Sequence, residues 1–368
     1  MWPDGRLRRL FKLDAPIIQA PMAGSSSLDM AIAVSEAGGL GSLACALQDA
    51  ATLERTLDDA RSKTGRSFNV NFFAHQSPAV DSEADAAWLN RLAPYYEELL
   101  EQPPSDLSQT PVRPFDSERC SVIEQFRPKV VSFHFGLPAI VLVERLKAAG
   151  VKVISTATTV EEALWLEAQG CDAIIAQGYE AGGHRGMFLS RELHTQIGTM
   201  ALVPQVVDAV DIPVIAAGGI ADGRGICAAI ALGASGVQLG TAYLQTEEAQ
   251  ISSVYREALT SAQAHETSLT DVVSGRPTRC LMNRVIRELG PISNDAPEFP
   301  KGFTAMSPLR MKAEGEGRCD FSAHYCGQAA ALGAAELSAR LTGKLIAESI
   351  ARMKWMAGRE DETVPECR

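Results

Sequence analysis

Eight short apolar runs, each followed by a helical pattern, constrain this chain more than any other feature. They are "PIIQA" (16–20), "GLGSL" (39–43), "FNVNF" (68–72), "VVSFHF" (130–135), "VKVIST" (151–156), "AIIAQ" (173–177), "PVIAA" (213–217) and "GVQLG" (236–240). Most are rich in β-branched residues, as strands buried on both faces are. The segments between them carry helix punctuation. "LDMAIAVSEAG" (28–38) closes on Gly, and "TVEEALWLEAQG" (159–170) opens on Thr, sets acids in its first turn and closes on Gly170. "DGRGICAAIALGA" (222–234) follows the same rule. Eight strand–helix units over about 230 residues predict an α/β fold of the (β/α)8 TIM barrel type. An open doubly wound sheet is the alternative. It is disfavoured because no dinucleotide G-x-G-x-x-G follows the first strand, and "GGLGSL" lies between a helix end and strand two.

Two segments break this rhythm. Residues 74–115 hold an amphipathic helix, "SEADAAWLNRLAPYYEELLEQ", and then the Pro- and Ser-rich "PPSDLSQTPVRP". They read as an excursion beyond strand three that covers the barrel mouth. Residues 250–368 carry helical patterns, the loop-rich "GPISNDAPEFPKGF" and a long helix from about 329 to 356. The expected organisation is a barrel over 1–249, interrupted at about 74–115, with a mainly helical, substrate-covering region over 250–368 docked on it.

Charge and cysteine usage remove several function classes. The formal net charge is −11, and no basic run exceeds "RLRR", so nucleic acid is not an expected partner. "MWPDGRLRRLFKLDAP" has no apolar core of an export signal, and no stretch has the apolar length needed to cross a bilayer. The eight cysteines are scattered without a C-x-x-C, and Cys319 and Cys326 match no common zinc spacing. Reduced thiols, a cytoplasmic location and no metal site are the expectation. The oligomeric state is not legible.

In a barrel, chemistry sits where strands end. Strand one runs into Ala20, Pro21, Met22, Ala23 and Gly24, and strand three carries Asn69 and Asn71. Strand four ends at His134, and strand six ends at Gln177 and enters "GYEAGGHRG". Gly218 and Gly219 follow strand seven, while Gln238, Leu239, Gly240 and Thr241 span the end of strand eight. Glycines between a strand end and a helix start expose backbone N–H groups to an anion, and loops seven and eight are the usual phosphate site of this fold. Each loop alone is equally well read as a tight turn; the pair points to phosphate. Glycine-rich loops after strands one and six let a planar ring lie against bare backbone. Asn69 and Gln177 supply amides for its rim, unless they cap nearby backbone. Phosphate, ring and rim amides together suggest FMN. His184 stands among Gly178, Gly182, Gly183 and Gly186, where an imidazole reaches a ligand and takes a proton near neutral pH. Arg185 either lends local positive charge or is solvated. His134 is a second candidate for lining a substrate pocket. Tyr325 and Gln328 in "HYCGQ" either close the site or pack; His75, His194, His265 and His324 read as surface or structural.

"PIIQAPMAG", "NVNFF", "IIAQGYEAGGHRG", "PVIAAGGIADG" and "GVQLGTAYL" together resemble the nitronate monooxygenase (2-nitropropane dioxygenase) family, class I type; "VVSGRPTRCLMNR" and "HYCGQ" continue the likeness more weakly. The resemblance implies an FMN-dependent barrel that oxidises alkyl nitronates, propionate 3-nitronate among them, with O2 to a carbonyl compound and nitrite. It places FMN contacts on Asn69, Gln177, Gly182, Gly219 and the run 238–241, with Ala20–Gly24 along the flavin edge. It makes His184 the base toward neutral nitroalkanes, and "VSFHFG" with His134 looks like the nitronate enzymes more than their reductase relatives. An NAD(P)H-dependent FMN reductase acting on quinones or enoyl thioesters is the alternative.

Overall fold

The computed structural model describes residues 2–358, so Cys367 lies outside the described residues. The strands are β1 (Ile17–Gln19), β2 (Gly41–Ala44), β3 (Phe68–Phe73), β4 (Val130–His134), β5 (Lys152–Ala157), β6 (Ala173–Gln177), β7 (Gly183–His184), β8 (Val214–Ala217), β9 (Gly236–Leu239), β10 (Thr267–Thr270) and β11 (Thr278–Leu281). Eight of them form one parallel sheet in the order β1-β9-β8-β6-β5-β4-β3-β2. Its ends meet. Leu40 N donates to Ile17 O at 2.9 Å and Gln19 N donates to Leu40 O at 3.0 Å, which closes the (β/α)8 TIM barrel. All eight strands fall where the apolar runs predict.

The two-residue period of a strand divides each run between two cores. Ile17, Val70, Val131, Val153, Ile174, Val214 and Val237 face the helices and join the large outer core. Ile18, Val130, Ile154, Ile175 and Ile215 point inward, where Leu7 and Phe11 of the N-terminal helix join them. Toward the strand C-termini the inward positions turn polar, with Asn71, Ser132, His134, Thr156, Gln177 and Gln238. The barrel therefore has an apolar floor and a polar mouth.

The segment after β3 forms the helix Ser82–Leu99, started by the Asp81 side chain accepting from Ala84 N. Trp88, Leu92, Tyr96 and Leu99 build a separate core with Val272, Ile286, Met306, Leu309 and Phe321. A buried ion pair between Lys301 and Asp85, 2.9 Å, pins it to the helix Lys301–Gly315. Residues beyond 250 also contain strands. β10 and β11 pair antiparallel, and β11 pairs with β7. The long C-terminal helix spans Ser338–Met356, not 329–356, because the Glu248 carboxylate accepts from Ser338 N and fixes the first turn there; residues 330–332 make a separate 3-10 turn. This helix lies against the helices Gly223–Ala231 and Leu28–Glu36, with Leu341 and Leu345 in the outer core. It fills the place of the eighth outer helix, since only the short Thr241–Leu244 follows β9 directly.

Gly41 marks the tightest helix–strand contact. A Cβ there would overlap the Ala31 carbonyl of the helix above. Gly41→Ala should lower the unfolding free energy by about 3 kcal/mol by overpacking that contact. A shift of the denaturant midpoint at unchanged m-value checks it.

Candidate active site

The mouth of the barrel opens into a cavity of about 460 Å³. Its lining includes Ala20, Pro21, Met22, Ala23 and Gly24 from the β1 loop, and Gln177, Gly182, Gly183 and His184 from the β6 loop. Gly218 and Gly219 follow β8, and Gln238, Gly240 and Thr241 follow β9; His134 and Tyr325 also line it. Three expected residues do not. Asn69 points inward one layer too deep; its Nδ2 donates to Ser42 Oγ and Ser132 Oγ, and Asn71 occupies the mouth instead. Leu239 has the opposite parity and its side chain lies in the outer core. The Gln328 side chain is exposed, although its backbone N–H donates to Glu180 O at 3.0 Å.

The loop carrying His184 is held from both sides. Gln177 Nε2 donates to His184 O at 3.0 Å, while its Oε1 accepts from Gly186 N at 2.8 Å. The backbone-capping reading of this amide is therefore the observed one. Arg185 is fully buried, so the solvated reading does not hold, while its charge is felt at His134. Its guanidinium donates to Gly178 O, Gln177 O and Gln196 Oε1, clamping the start of the loop. β7 then pairs Gly183 with Arg279 and His184 with Thr278. Gly182 admits the strand-end peptide of the C-terminal region, since a Cβ would stand 2.5 Å from Gly327 N. Thr241 Oγ1 accepts from that same N–H at 2.9 Å.

Both histidines of the sequence reading are at the mouth, but differently employed. His134 Nε2 donates to His184 O at 3.0 Å, and Nδ1 then accepts from Thr156 Oγ1 at 3.0 Å. Both ring nitrogens are engaged, so His134 supports the loop. His184 Nε2 lies 2.9 Å from Ser274 Oγ, and the ring is set edge-on to Phe135 and Phe299 and beside Tyr325. Phe135 adopts a left-handed backbone, φ 72°, which a bulky residue holds only when its surroundings fix it. Phe73, Phe299 and the Arg276 guanidinium, 4.2 Å above its ring, do so. Arg276 is buried and makes no ion pair among the described residues, and burial pushes its pKa down to about 10. Its charge acts on His184 and His134, and the Arg185 charge adds to it at His134. His75, read as surface or structural, is structural: it is buried in the same aromatic cluster.

Other lining residues carry no legible sequence signal. Tyr255, Phe303, Arg310, Glu314 and His324 form the far wall. His324 stacks on Tyr255 at 4.2 Å, and its Nε2 lies 3.6 Å from Glu314 Oε1. They come from segments without strand periodicity and meet only through the fold.

The anion end is built differently from the expectation after β8. The first turn of the helix Gly223–Ala231 is already occupied, with Asp222 accepting from Arg224 N and Gly225 N, and Glu348 accepting from Gly223 N. No side chain caps the helix Thr241–Leu244. Bare backbone at Gly218, Gly219 and Gly240 thus remains for an anion. Gln238 Oε1 is buried and has no hydrogen-bond partner among the described residues, a lone acceptor that suits a ligand rim carrying an N–H. These features fit a phosphorylated planar ring. Among the described residues, no group of three or more His, Cys, Asp or Glu side chains could hold a metal ion, and no helix is long and apolar enough to cross a membrane.

The nitronate monooxygenase family model matches residues 5–348. A nitronate monooxygenase from Paraburkholderia phytofirmans is 41% identical over 95% of this chain and 96% of the relative. Among solved structures, a nitroalkane oxidase from Streptomyces ansochromogenes superposes with a TM-score of 0.88 at 39% identity, covering 95% of this chain and 99% of that one. FabK from Thermotoga maritima superposes with a TM-score of 0.72 at 27% identity, covering 96% and 99%.

Burial, then the neighbouring His134 and the Arg276 charge, pushes the His184 pKa down to about 3. Burial chiefly also takes His134 and His75 down to about 4. These rings stay neutral in the folded chain at a pH where their unfolded counterparts bind protons. Stability should therefore fall as pH drops from about 6.5 toward 4, with a slope approaching 1.4 kcal/mol per pH unit for each ring. His75→Phe should flatten that slope, as read from denaturant unfolding at pH 7, 6 and 5.

Proposed function

This chain belongs to the nitronate monooxygenase family, and from that membership we propose that it oxidises alkyl nitronates with O2, using FMN, to a carbonyl compound and nitrite. The observation that carries the reading is His184, a neutral imidazole fixed by strand pairing at the wall of a glycine-rimmed cavity. An unprotonated ring can accept a proton from the carbon beside a nitro group; burial weakens it as a base, and the negative charge that forms on the substrate beside the new imidazolium offsets that. An anionic nitronate needs no such removal, and there the ring positions the substrate.

FMN would be held by backbone at Gly218, Gly219, Gly240 and Thr241 around its phosphate, by Gln238 at its rim and by the bare chain of Ala20–Gly24 and Gly182–Gly183 along its ring. The redox chemistry with O2 is what the flavin supplies when bound; the protein orients the partners and sets the local field. The buried Arg276 charge over Phe135, beside the mouth, and the Arg310 guanidinium in its wall offset the cost of bringing an anion to a chain of net charge −11. Propionate 3-nitronate is our candidate substrate. The free thiols among the described residues accord with a cytoplasmic location. The nitronate reading is preferred to an NAD(P)H-linked reductase because the identity to the nitronate and nitroalkane enzymes, 41% and 39%, exceeds the 27% to FabK.

The purified protein should be yellow. Anaerobic addition of a small nitronate should change the flavin spectrum, and NADH should not; the opposite pattern selects the reductase. His184→Asn should slow turnover of neutral nitroalkane by about 100-fold while affecting nitronate far less. Equal effects on both substrates would remove the base role.

A further inference from the structure

The hydrogen bonds around Ser274 decide which nitrogen of His184 carries its proton. Ser274 is fully buried, and its backbone is fixed by N–H donation to Asp271 O at 3.2 Å. Its hydroxyl has one proton and two neighbours, Arg276 O at 3.3 Å and His184 Nε2 at 2.9 Å. No other donor reaches Arg276 O among the described residues. Were the hydroxyl to donate to His184, that carbonyl would be left without a partner. With the hydroxyl donating to Arg276 O, Ser274 Oγ accepts from His184 Nε2–H and every group is satisfied. Nδ1 is then the acceptor nitrogen. Among the described residues it has no hydrogen-bond partner, it is not one of the atoms sealed from solvent, and the ring lines the cavity.

We propose that Ser274 is a positioning residue that locks His184 as the Nε2–H tautomer and so presents Nδ1 to the cavity as the proton acceptor. Ser274 lies in the turn before β11, the strand that pairs with His184 itself, so one short segment sets both the ring's place and its proton. This rests on the reading of His184 as a base. Proton removal by the wrong tautomer would present an N–H where a lone pair is required.

The test uses the flavin-loaded protein labelled with ¹⁵N-histidine. Long-range ¹H–¹⁵N spectra, with the His184 signals identified by their loss in His184→Asn, should show the proton on Nε2. In Ser274→Ala it should distribute over both nitrogens. The ratio of kcat/KM for a neutral nitroalkane to that for its nitronate should drop by about 10-fold in Ser274→Ala, and Ser274→Thr, which keeps the hydroxyl, should restore it. A wild-type proton on Nδ1 overturns the proposal without any variant, so a Ser274→Ala protein that fails to fold does not protect it. An unchanged tautomer and ratio in Ser274→Ala also overturn it. If His184→Asn slows both substrates equally while the spectra follow Ser274 as described, the base reading falls and the tautomer assignment stands.

Discussion

The carbonyl oxygen of His184 accepts from Gln177 Nε2 and from His134 Nε2, both at 3.0 Å, and the arrangement of the mouth depends on that point. Two inward positions on separate barrel strands, β4 and β6, thereby grip the backbone of a loop that otherwise has little side chain to hold it. At the same residue β7 is gripped by β11 from the C-terminal region. A loop with glycines at 178, 182, 183 and 186 would lose much conformational entropy on ordering. Fixed main-chain bonds from both sides offset that loss, and they do so without filling the cavity with side chains.

The barrel was legible because strands buried on both faces leave unmistakable apolar runs, and every run became a strand. The site was legible to the level of loops and less so to the level of residues. What separates them is depth along the strand and parity. Asn69 and Asn71 share the inward face of β3, yet only the one nearer the strand end reaches the cavity. Leu239 sits between two lining residues and turns outward. Arg185, beside the key histidine in sequence, is swallowed by three acceptors of its own loop. Charge in a sequence does not say whether its partners are water or carbonyls. The residues of the far wall, from Tyr255 to His324, are brought together by tertiary packing alone, and no local pattern announces that.

Electrostatically the mouth is unlike the chain as a whole. Acidic residues outnumber basic ones in the chain, whereas the aromatic cluster around His184 holds an arginine that pairs with no carboxylate among the described residues. Burial and that charge act in the same direction on the nearby imidazoles, keeping them unprotonated. A neutral base next to a fixed cation suits chemistry in which negative charge arrives or develops on the substrate.

The outer helix Ser338–Met356 has a kinetic consequence. The outer wall of the barrel cannot be completed until residue 356 is available, because the segment that seals the gap between the helices at 28–36 and 223–231 follows every other element of that shell in the sequence. The region from 250 to 337, with β11 and Ser274, is thus a long detour between two pieces of one closed shell. Nascent chains on the ribosome would expose an unsealed flank until that helix emerges, long after the last barrel strand has been made.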